Sequence, residues 1–240
     1  MTERTSGVAV VTGTSRGLGE AIAARLLADG YEVIGISRSG SPGLRGPGFL
    51  DLRADLGDAS TRDELVERIL ADGHQVNVLV NNAGAIAYSP CWQLAPETLR
   101  ELMAVNLTAP FVLGRDLGRH WLATETVGTI VNICSIESEV AWEDPPQAGY
   151  ALTKGGLAGL TRAMAYDWAG SGIRVNGVAP GIIRTDCAPP NDAELMQKVP
   201  LQNRLGRPED VAGVVSFLCG RDASYMTGEI VYVDGGYRLP

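Results

Sequence analysis

Apolar residues occur along the chain in short β-branched runs that alternate with segments of helical spacing. The runs at 7–12, 32–37, 49–52, 77–80, 129–134, 173–179 and 229–233 predict seven strands, and the first is expected to be buried. Helical spacing predicts helices over 20–29, 60–71, 96–122, 150–169 and 208–219. Because the two patterns alternate, we expect a doubly wound, mainly parallel α/β sheet flanked by helices, which is a three-layer α/β/α sandwich.

Composition limits the classes of protein that this chain can be. Its 240 residues show no repeat and no linker, so we expect one domain over 1–240, with a small lid around 186–205. No apolar run is long enough to span a membrane, and the N-terminus lacks a signal-peptide pattern, so a cytoplasmic location is expected. The net charge of -8 argues against broad nucleic-acid binding. Four cysteines and two histidines match no metal-site spacing, so no metal is expected.

A glycine-rich turn, Gly13–Gly19, directly follows the first predicted strand and precedes the first predicted helix. Glycines let the backbone turn tightly and approach a pyrophosphate, and the helix N-terminus then offers free N–H groups. The order strand, turn and helix therefore predicts a Rossmann-type dinucleotide site.

The end of the second strand, Ser37-Arg38, indicates which dinucleotide is preferred. A carboxylate at this position would bind the ribose 2′-hydroxyl of NAD, whereas arginine accommodates the 2′-phosphate of NADP. Arg16, in the glycine turn, adds a second cation. We therefore expect NADP(H) to be favoured over NAD(H), although Arg38 could simply end the strand.

Polar residues also mark the ends of later elements. Asn81-Asn82-Ala83-Gly84 closes the fourth strand, where ligands bind in open α/β sheets, although asparagine and glycine also make ordinary turns. Asn106 interrupts an apolar helical face, either as a hydrogen-bonded core amide or as a group that positions water.

Tyr150 and Lys154 are four residues apart, which in a helix places them on one face. A nearby ammonium lowers the pKa of a tyrosine, and a tyrosine tuned in this way can pass a proton to a substrate oxygen. Taken alone, the spacing is more typical of a surface pair.

Taken together, these motifs resemble the compact single-domain branch of the short-chain dehydrogenase/reductase family, and in particular 3-oxoacyl-carrier-protein reductases. Residues 12–19 resemble its T-G-x-x-x-G-x-G turn, residues 81–84 its N-N-A-G segment, and 180–185 its P-G-x-x-x-T segment. Asn106, Ser135, Tyr150 and Lys154 occur in the order of its catalytic tetrad.

The resemblance implies a role for each of these residues. Tyr150 would be the general acid, Lys154 would lower the pKa of Tyr150 and hold the nicotinamide ribose, Ser135 would polarise the carbonyl, and Asn106 would hold a relay water. The implied cofactor-binding residues are Gly13, Ser15, Arg16, Gly17, Leu18, Gly19, Ser37, Arg38, Asp55, Leu56, Asn82, Ala83, Gly84, Tyr150, Lys154, Pro180, Gly181, Ile183 and Thr185.

Ser135 precedes Tyr150 by fifteen residues, about two more than in many relatives. Ser138 is therefore an alternative catalytic serine, but Ser135 directly follows the predicted strand.

Acidic residues surround the expected substrate entrance, and acidic carrier proteins usually dock on basic rims. The acids are Glu137, Glu139, Glu143, Asp144, Asp186, Asp192 and Glu194. We therefore expect a small free ketone, although these acids could also be a solvated loop face.

The resulting expectation is an NADPH-dependent oxidoreductase that reduces a ketone to a secondary alcohol. A 3-oxoacyl-thioester reductase, an NAD(P)+-dependent alcohol dehydrogenase and, more distantly, a non-catalytic NADP(H)-binding regulator are the alternatives. The resemblance also implies a homotetramer, or a homodimer, formed through the two long helices and the C-terminal segment.

Overall fold

In a computed structural model that describes residues 7–141, 145–185, 196–201 and 204–239, seven strands form one parallel sheet. Their order is β3-β2-β1-β4-β5-β6-β7. The strands are β1 (Val8–Thr12), β2 (Glu32–Ser37), β3 (Phe49–Arg53), β4 (Val76–Asn81), β5 (Thr129–Ile133), β6 (Arg174–Pro180) and β7 (Ile230–Val233). All seven predicted strands are confirmed, and no end differs from its predicted position by more than one residue.

Helices cover both faces of this sheet. They are α1 (Gly17–Ala28), α2 (Ala59–Ala71), α3 (Pro96–Met103), α4 (Ala109–Thr124), α5 (Ala148–Trp168) and α6 (Pro208–Cys219). Among the described residues, no helix combines the length and apolarity needed to cross a membrane. Residues 186–195 and 202–203 of the predicted lid lie outside the described residues.

The predicted helical stretch over 96–122 is confirmed, but it is not α-helical throughout. A π-helical segment, Ala104–Thr108, joins α3 to α4, and the N–H of Ala109 bonds the carbonyl of Ala104. The side chain of Asn106, in the middle of this segment, bonds groups outside the helix. Segments of this kind are frequent at functional sites.

Alternation along the strands creates a separate apolar core on each face of the sheet. In β1, Val8 and Val10 pack with residues of α2, α4 and α5. Ala9 and Val11 pack on the opposite face with residues of α1 and α6. Because a β-strand directs successive side chains to opposite faces, the continuous apolar runs seen in the sequence match a sheet that is covered on both sides.

The strand order reverses between β1 and β4, and the polar ends of the central strands meet there. β1 ends at Thr12, β2 at Ser37 and β4 at Asn81. Open parallel sheets bind ligands at such a reversal, beyond the carboxyl ends of the strands. The fold therefore brings the glycine turn and the asparagine segment to one crevice.

A chain of buried amide and hydroxyl groups crosses from β4 through β5 to α5. Asn81 Nδ2 donates to Asn132 Oδ1 at 2.9 Å, and Asn132 Nδ2 donates to Thr161 Oγ1 at 2.9 Å. Thr161 Oγ1 in turn donates to the Leu157 carbonyl at 2.8 Å. Because buried polar groups need partners, this chain fixes the position of α5, the helix that carries Tyr150 and Lys154, against the sheet.

We expect Asn132→Ala to lower the free energy of unfolding by about 2–4 kcal/mol, because it removes a buried side chain and leaves the Asn81 amide without its acceptor. Thr161→Val removes only the far end of the chain and should cost less, about 1–2 kcal/mol. Urea unfolding of both single variants and of the double variant measures the coupling. Additive losses would show that the three groups do not act as one chain.

Candidate active site

The glycine-rich turn has the backbone geometry that a phosphate group requires. Gly13 and Gly17 have positive φ angles of 76° and 61°, a conformation that glycine adopts without strain. A side chain at Gly19 would collide with the carbonyl of Gly13, so the turn can be this tight only with glycine there. No side chain caps the N-terminus of α1, which leaves its first N–H groups available to an anion.

Asn82 and Thr12 brace this turn from β4 and β1. Thr12 Oγ1 accepts from the backbone N–H groups of Asn82 and Ala83, both at 2.9 Å. Asn82 Nδ2 donates to the carbonyl of Thr12 at 2.9 Å. Part of the N-N-A-G segment therefore holds the glycine turn in place, and that is a structural task which the sequence pattern alone did not reveal.

A cleft of about 480 Å³ runs from the glycine turn to Tyr150, and it contains every residue that the resemblance assigned to the cofactor. Ser135 also lines this cleft. The lining further includes residues that the sequence did not indicate, which are Ile36, Ala54, Ala85, Ile86, Val105, Ile133 and Cys134. These are mostly apolar groups without a motif, so pattern reading could not select them.

Two exposed arginines and a buried hydroxyl lie at the adenosine end of the cleft. Arg16 and Arg38 have no ion-pair partner within the part of the chain that the structure describes. Ser37 Oγ is buried and likewise has no hydrogen-bond partner there. A buried hydroxyl without a partner costs free energy, and a ligand oxygen would remove that cost.

Asn106 is fully buried and bonds two separate segments. Its Nδ2 donates to the Ala85 carbonyl at 2.8 Å and to Thr153 Oγ1 at 3.0 Å, while its Oδ1 accepts from the Ala85 N–H at 2.7 Å. Thr153 lies between Tyr150 and Lys154 in α5. Asn106 is therefore a hydrogen-bonded core amide that links the segment after β4 to α5. Because both of its N–H groups are used, this side chain could bond a water only through its Oδ1, which can accept a second hydrogen bond.

Ser135 and Tyr150 meet at the carboxyl end of β5. Both side chains line the cleft, Ser135 lowers the pKa of Tyr150 through hydrogen bonding, and Ser135 Oγ accepts from the Glu137 N–H at 3.2 Å. Ser138, the alternative, does not line the cleft, and its hydroxyl donates to the Ser135 carbonyl at 2.7 Å. The geometry thus brings Ser135 and not Ser138 to Tyr150.

Lys154 lies beside Tyr150 at the base of the cleft. Its Nζ is 5.5 Å from the centre of the tyrosine ring and donates to the Ile133 carbonyl at 2.7 Å. Burial lowers the pKa of Lys154 from 10.5 to about 8, and nearby Cys134 and Glu137 partly oppose that shift. At neutral pH the ammonium form of Lys154 is therefore still the major one, but it loses its proton more readily than an ordinary lysine does.

The expected lowering of the Tyr150 pKa is not found in this structure. Burial, and next the charge of Glu137, raise the pKa of Tyr150 well above its ordinary value of 10, while the hydrogen bond with Ser135 opposes them. The reason is that Lys154, with a pKa of about 8, loses its proton long before Tyr150 could ionise. Tyr150 is therefore a protonated hydroxyl at neutral pH.

The acidic rim that the sequence suggested is only partly present. Glu139 is exposed but forms an ion pair with Arg238 at 2.7 Å, and a hydrogen bond with Tyr232 together with that guanidinium lowers the pKa of Glu139. Glu137 is half-buried, and burial raises its pKa to about 7. The other five acids, at 143, 144, 186, 192 and 194, lie outside the described residues.

Metal-binding clusters are absent from the ranges that the structure describes, since no three His, Cys, Asp or Glu side chains converge there. Of the cysteines in those ranges, Cys134 and Cys219 are buried free thiols, whereas Cys91 is exposed. Burial raises the pKa of Cys134 to about 11 and that of Cys219 to about 12, so both stay protonated at neutral pH.

A family model described as enoyl-(acyl carrier protein) reductase matches residues 13–238, which is nearly the whole chain. The chain belongs to the short-chain dehydrogenase/reductase family. It is accordingly an NAD(P)-dependent oxidoreductase that acts on CH–OH or C=O groups.

Known members of the family that resemble this chain differ in their substrates and cofactors. A 3-oxoacyl-[acyl-carrier-protein] reductase of a Synechocystis species is 34% identical and covers 98% of each chain. A putative NAD(P)-dependent gluconate 5-dehydrogenase from Beutenbergia cavernae, solved with bound NADP, has a TM-score of 0.86 and 36% identity, and covers 98% of this chain and 97% of that one. A 4-hydroxyisoleucine dehydrogenase complexed with NADH has a TM-score of 0.88 and 27% identity, and covers 98% of this chain and 99% of that one.

Lys154→Met should stabilise this dehydrogenase/reductase at pH 7 by about 1–2 kcal/mol, because the cost of burying the ammonium exceeds the lost bond to Ile133. The folded pKa of Lys154 lies below the unfolded one, so the wild-type protein gains stability as pH rises from about 8 to 10.5. The advantage of the variant should therefore shrink over that range.

Urea unfolding at pH 7 and pH 9.5 measures this difference. Lys198→Met is the matched control, because Lys198 is exposed and its removal should change stability by less than about 0.5 kcal/mol. A Lys154→Met variant that is less stable than wild type at both pH values would contradict the prediction.

Proposed function

We propose that this protein reduces a small free ketone to a secondary alcohol with NADPH, and that Tyr150 is the general acid. The observation that carries the proposal is that Ser135, Tyr150 and Lys154 line one cleft together with the glycine turn. A hydride source and a proton source would then act on the same carbonyl group.

In this mechanism the hydroxyl groups of Ser135 and Tyr150 both bind the carbonyl oxygen and polarise it. The reduced nicotinamide, when bound, supplies the hydride that the carbonyl carbon receives. The Tyr150 hydroxyl gives its proton to the oxygen, which completes the alcohol. The raised pKa of Tyr150 keeps this proton in place until negative charge develops on the substrate oxygen.

Lys154 would then restore the proton to Tyr150. Its pKa of about 8 is close to physiological pH, where an ammonium group both holds and releases a proton readily. Asn106 supports this step by position, because it bonds Thr153 between the two residues. The proposal keeps the predicted relay water at Asn106, which would link Lys154 to solvent.

The preference for NADPH rests on charge at the adenosine end of the cleft. Arg16, Arg38 and the buried Ser37 hydroxyl can all bond a 2′-phosphate, and Ser37-Arg38 offers no carboxylate to a 2′-hydroxyl. The NADP-bound relative is consistent with this choice, whereas the relative solved with NADH makes NADH the alternative. Asp55, which accepts from the Gly57 N–H at 2.9 Å, would face the adenine.

A 3-oxoacyl thioester is the second substrate candidate, favoured by the similarity to the Synechocystis reductase. The charge argument against a carrier protein is weaker than the sequence suggested, because Glu137 is half-buried and Glu139 is paired with Arg238. We retain the free ketone as the first choice, since no basic rim is seen in the described part of the chain around this opening. The reverse reaction, oxidation of an alcohol, uses the same groups.

A homotetramer remains the expected assembly. Exposed apolar side chains on the outer faces of α4 and α5, namely Phe111, Leu152 and Tyr166, are consistent with it. Ala158 and Ala165, also in α5, lie in the core of this subunit and do not contribute to its outer face.

The test of this proposal is oxidation of NADPH and NADH in the presence of a ketone panel that includes a 3-oxoacyl thioester mimic, a diketone, a keto sugar and a bicyclic ketone.

Tyr150→Phe should lower kcat by about 10²–10⁴-fold, because the general acid is lost, while NADPH binding is retained. Ser135→Ala should also lower kcat, whereas Ser138→Ala, outside the cleft, should stay within about threefold of wild type. Near-normal turnover by Tyr150→Phe would refute the mechanism. A stable partner protein whose affinity depends on NADPH, without turnover of any ketone, would favour a regulatory role.

Arg38→Ala should lower kcat/KM for NADPH by about 10–100-fold and leave that for NADH nearly unchanged, because only NADPH carries the 2′-phosphate. Arg16→Ala should act in the same direction. Arg45→Ala, an exposed arginine in the loop after β2 that does not line the cleft, is the matched control. Equal losses with both cofactors, or a wild-type preference for NADH, would show that these arginines do not contact a 2′-phosphate.

A further inference from the structure

The loop between β2 and β3 is attached to the rest of the subunit at two buried residues, Ser41 and Leu44. Leu44 belongs to the apolar core that α1 covers. Ser41 is buried as well, although Arg38 and Ser39 at the start of the loop are exposed. Because a buried hydroxyl group needs a hydrogen-bond partner, the contacts of Ser41 show what holds the loop in place.

The N–H, the carbonyl and the hydroxyl group of Ser41 are all hydrogen-bonded. Its N–H donates to Asp51 Oδ2 of β3 at 3.1 Å, and its carbonyl accepts from the Leu44 N–H at 3.1 Å. Its hydroxyl bonds the hydroxyl of Thr14 at 2.7 Å, and both side chains are buried. The first two bonds attach the loop to β3 and close a local turn. The third bond joins the loop to the glycine turn.

The side chain of Thr14 lies against β2 where it makes this contact. Thr14 follows Gly13, whose N–H donates to the Ile36 carbonyl at 2.7 Å, so the glycine turn rests on β2. A Cβ at Gly35 of β2 would lie only 2.7 Å from Thr14 Oγ1. Glycine at position 35 therefore leaves room for the hydroxyl that bonds Ser41.

Arg38 lies between the end of β2 and this attachment point. It directly follows Ser37, the last residue of β2, and precedes Ser41 by three residues. Its side chain lines the cofactor cleft. The main chain around Arg38 is therefore held by the sheet on one side and by Ser41 on the other. Without the Ser41 hydroxyl, the loop would keep its bond to β3 but lose its bond to the glycine turn.

We propose that Ser41 is a positioning residue for the cofactor 2′-phosphate, because its bond to Thr14 sets the loop that carries Arg38 at a fixed place relative to the glycine turn. This inference rests on the proposed preference for NADPH, and it adds a residue outside the cleft to those that set the preference. Arg38 would bind the 2′-phosphate while the glycine turn binds the pyrophosphate of the same molecule. Groups that are held in place before binding lose less conformational entropy on binding. NADH lacks the 2′-phosphate, so it gains nothing from the position of Arg38.

Dissociation constants for NADPH and NADH, measured by nicotinamide fluorescence, test this inference without any substrate. Ser41→Ala should lower the preference for NADPH, which is the ratio of the two constants, by about 3–10-fold. It should leave NADH binding within about twofold of wild type. Ser39→Ala is the matched control, because Ser39 is exposed in the same loop and does not line the cleft, and its ratio should equal that of wild type.

Variants of Thr14 separate the hydroxyl contact from packing. Thr14→Val keeps the shape of the side chain but lacks the hydroxyl, so it should lower the ratio as far as Ser41→Ala does. Thr14→Ser keeps the hydroxyl and should keep the ratio. The double variant Thr14→Val/Ser41→Ala should lose no more than either single variant, because both remove the same bond. If Ser41→Ala does not fold, Thr14→Val measures the loss of that bond.

A double-mutant cycle with Arg38 shows whether Ser41 acts through that residue. In an Arg38→Ala background, Ser41→Ala should not change the ratio further, because no guanidinium remains to be positioned. A full additional loss in that background would overturn the inference. Equal losses of NADPH and NADH binding in Ser41→Ala, or an unchanged ratio, would also overturn it while the preference for NADPH stands. A wild-type protein that prefers NADH, or an Arg38→Ala variant with the wild-type ratio, would instead overturn the proposed role of Arg38, and this inference with it.

Discussion

The burial of the Lys154 ammonium group is the constraint on which the rest of the site depends. Its Nζ needs a carbonyl partner, and the end of β5 supplies one at Ile133. The helix α5 must then approach the sheet closely, and the chain of Asn81, Asn132 and Thr161 holds it there. A group that weakens the fold is thus surrounded by groups that fix its position, which is typical of catalytic residues.

Much of the fold could be predicted because a parallel sheet leaves a strong signal in the sequence. Strands covered on both sides are continuous apolar runs, and the polar residues that end them mark the binding edge of the sheet. Asn82, Ser135 and Tyr150 could therefore be located before the structure was known. The cofactor-side residues converge for the same reason, since the ends of parallel strands meet at one edge.

The features that could not be predicted depend on contacts between distant segments. The side chain of Asn106, in the π segment, bonds Ala85 and Thr153, and no local sequence pattern encodes these contacts. The raised pKa of Tyr150 depends on burial and on Glu137, so the Tyr-x-x-x-Lys spacing alone gave the wrong direction. Glu137 itself could be read only as one acid among several, because burial distinguishes it from Glu139 and burial is a property of the folded chain.

The contact between Glu139 and Arg238 joins residues that are 99 positions apart. Arg238 also lies over the ring of Tyr232, with its Cζ 3.3 Å from the ring centre, and its Nε is 3.3 Å from Asp234 Oδ2. The loop that carries Ser135 is therefore fastened by residues synthesised almost last. The glycine turn and its brace, in contrast, are complete once β4 has formed. During synthesis the glycine turn and its brace can therefore form first, and the turn that carries Ser135 gains its final support only when the C-terminal segment has docked.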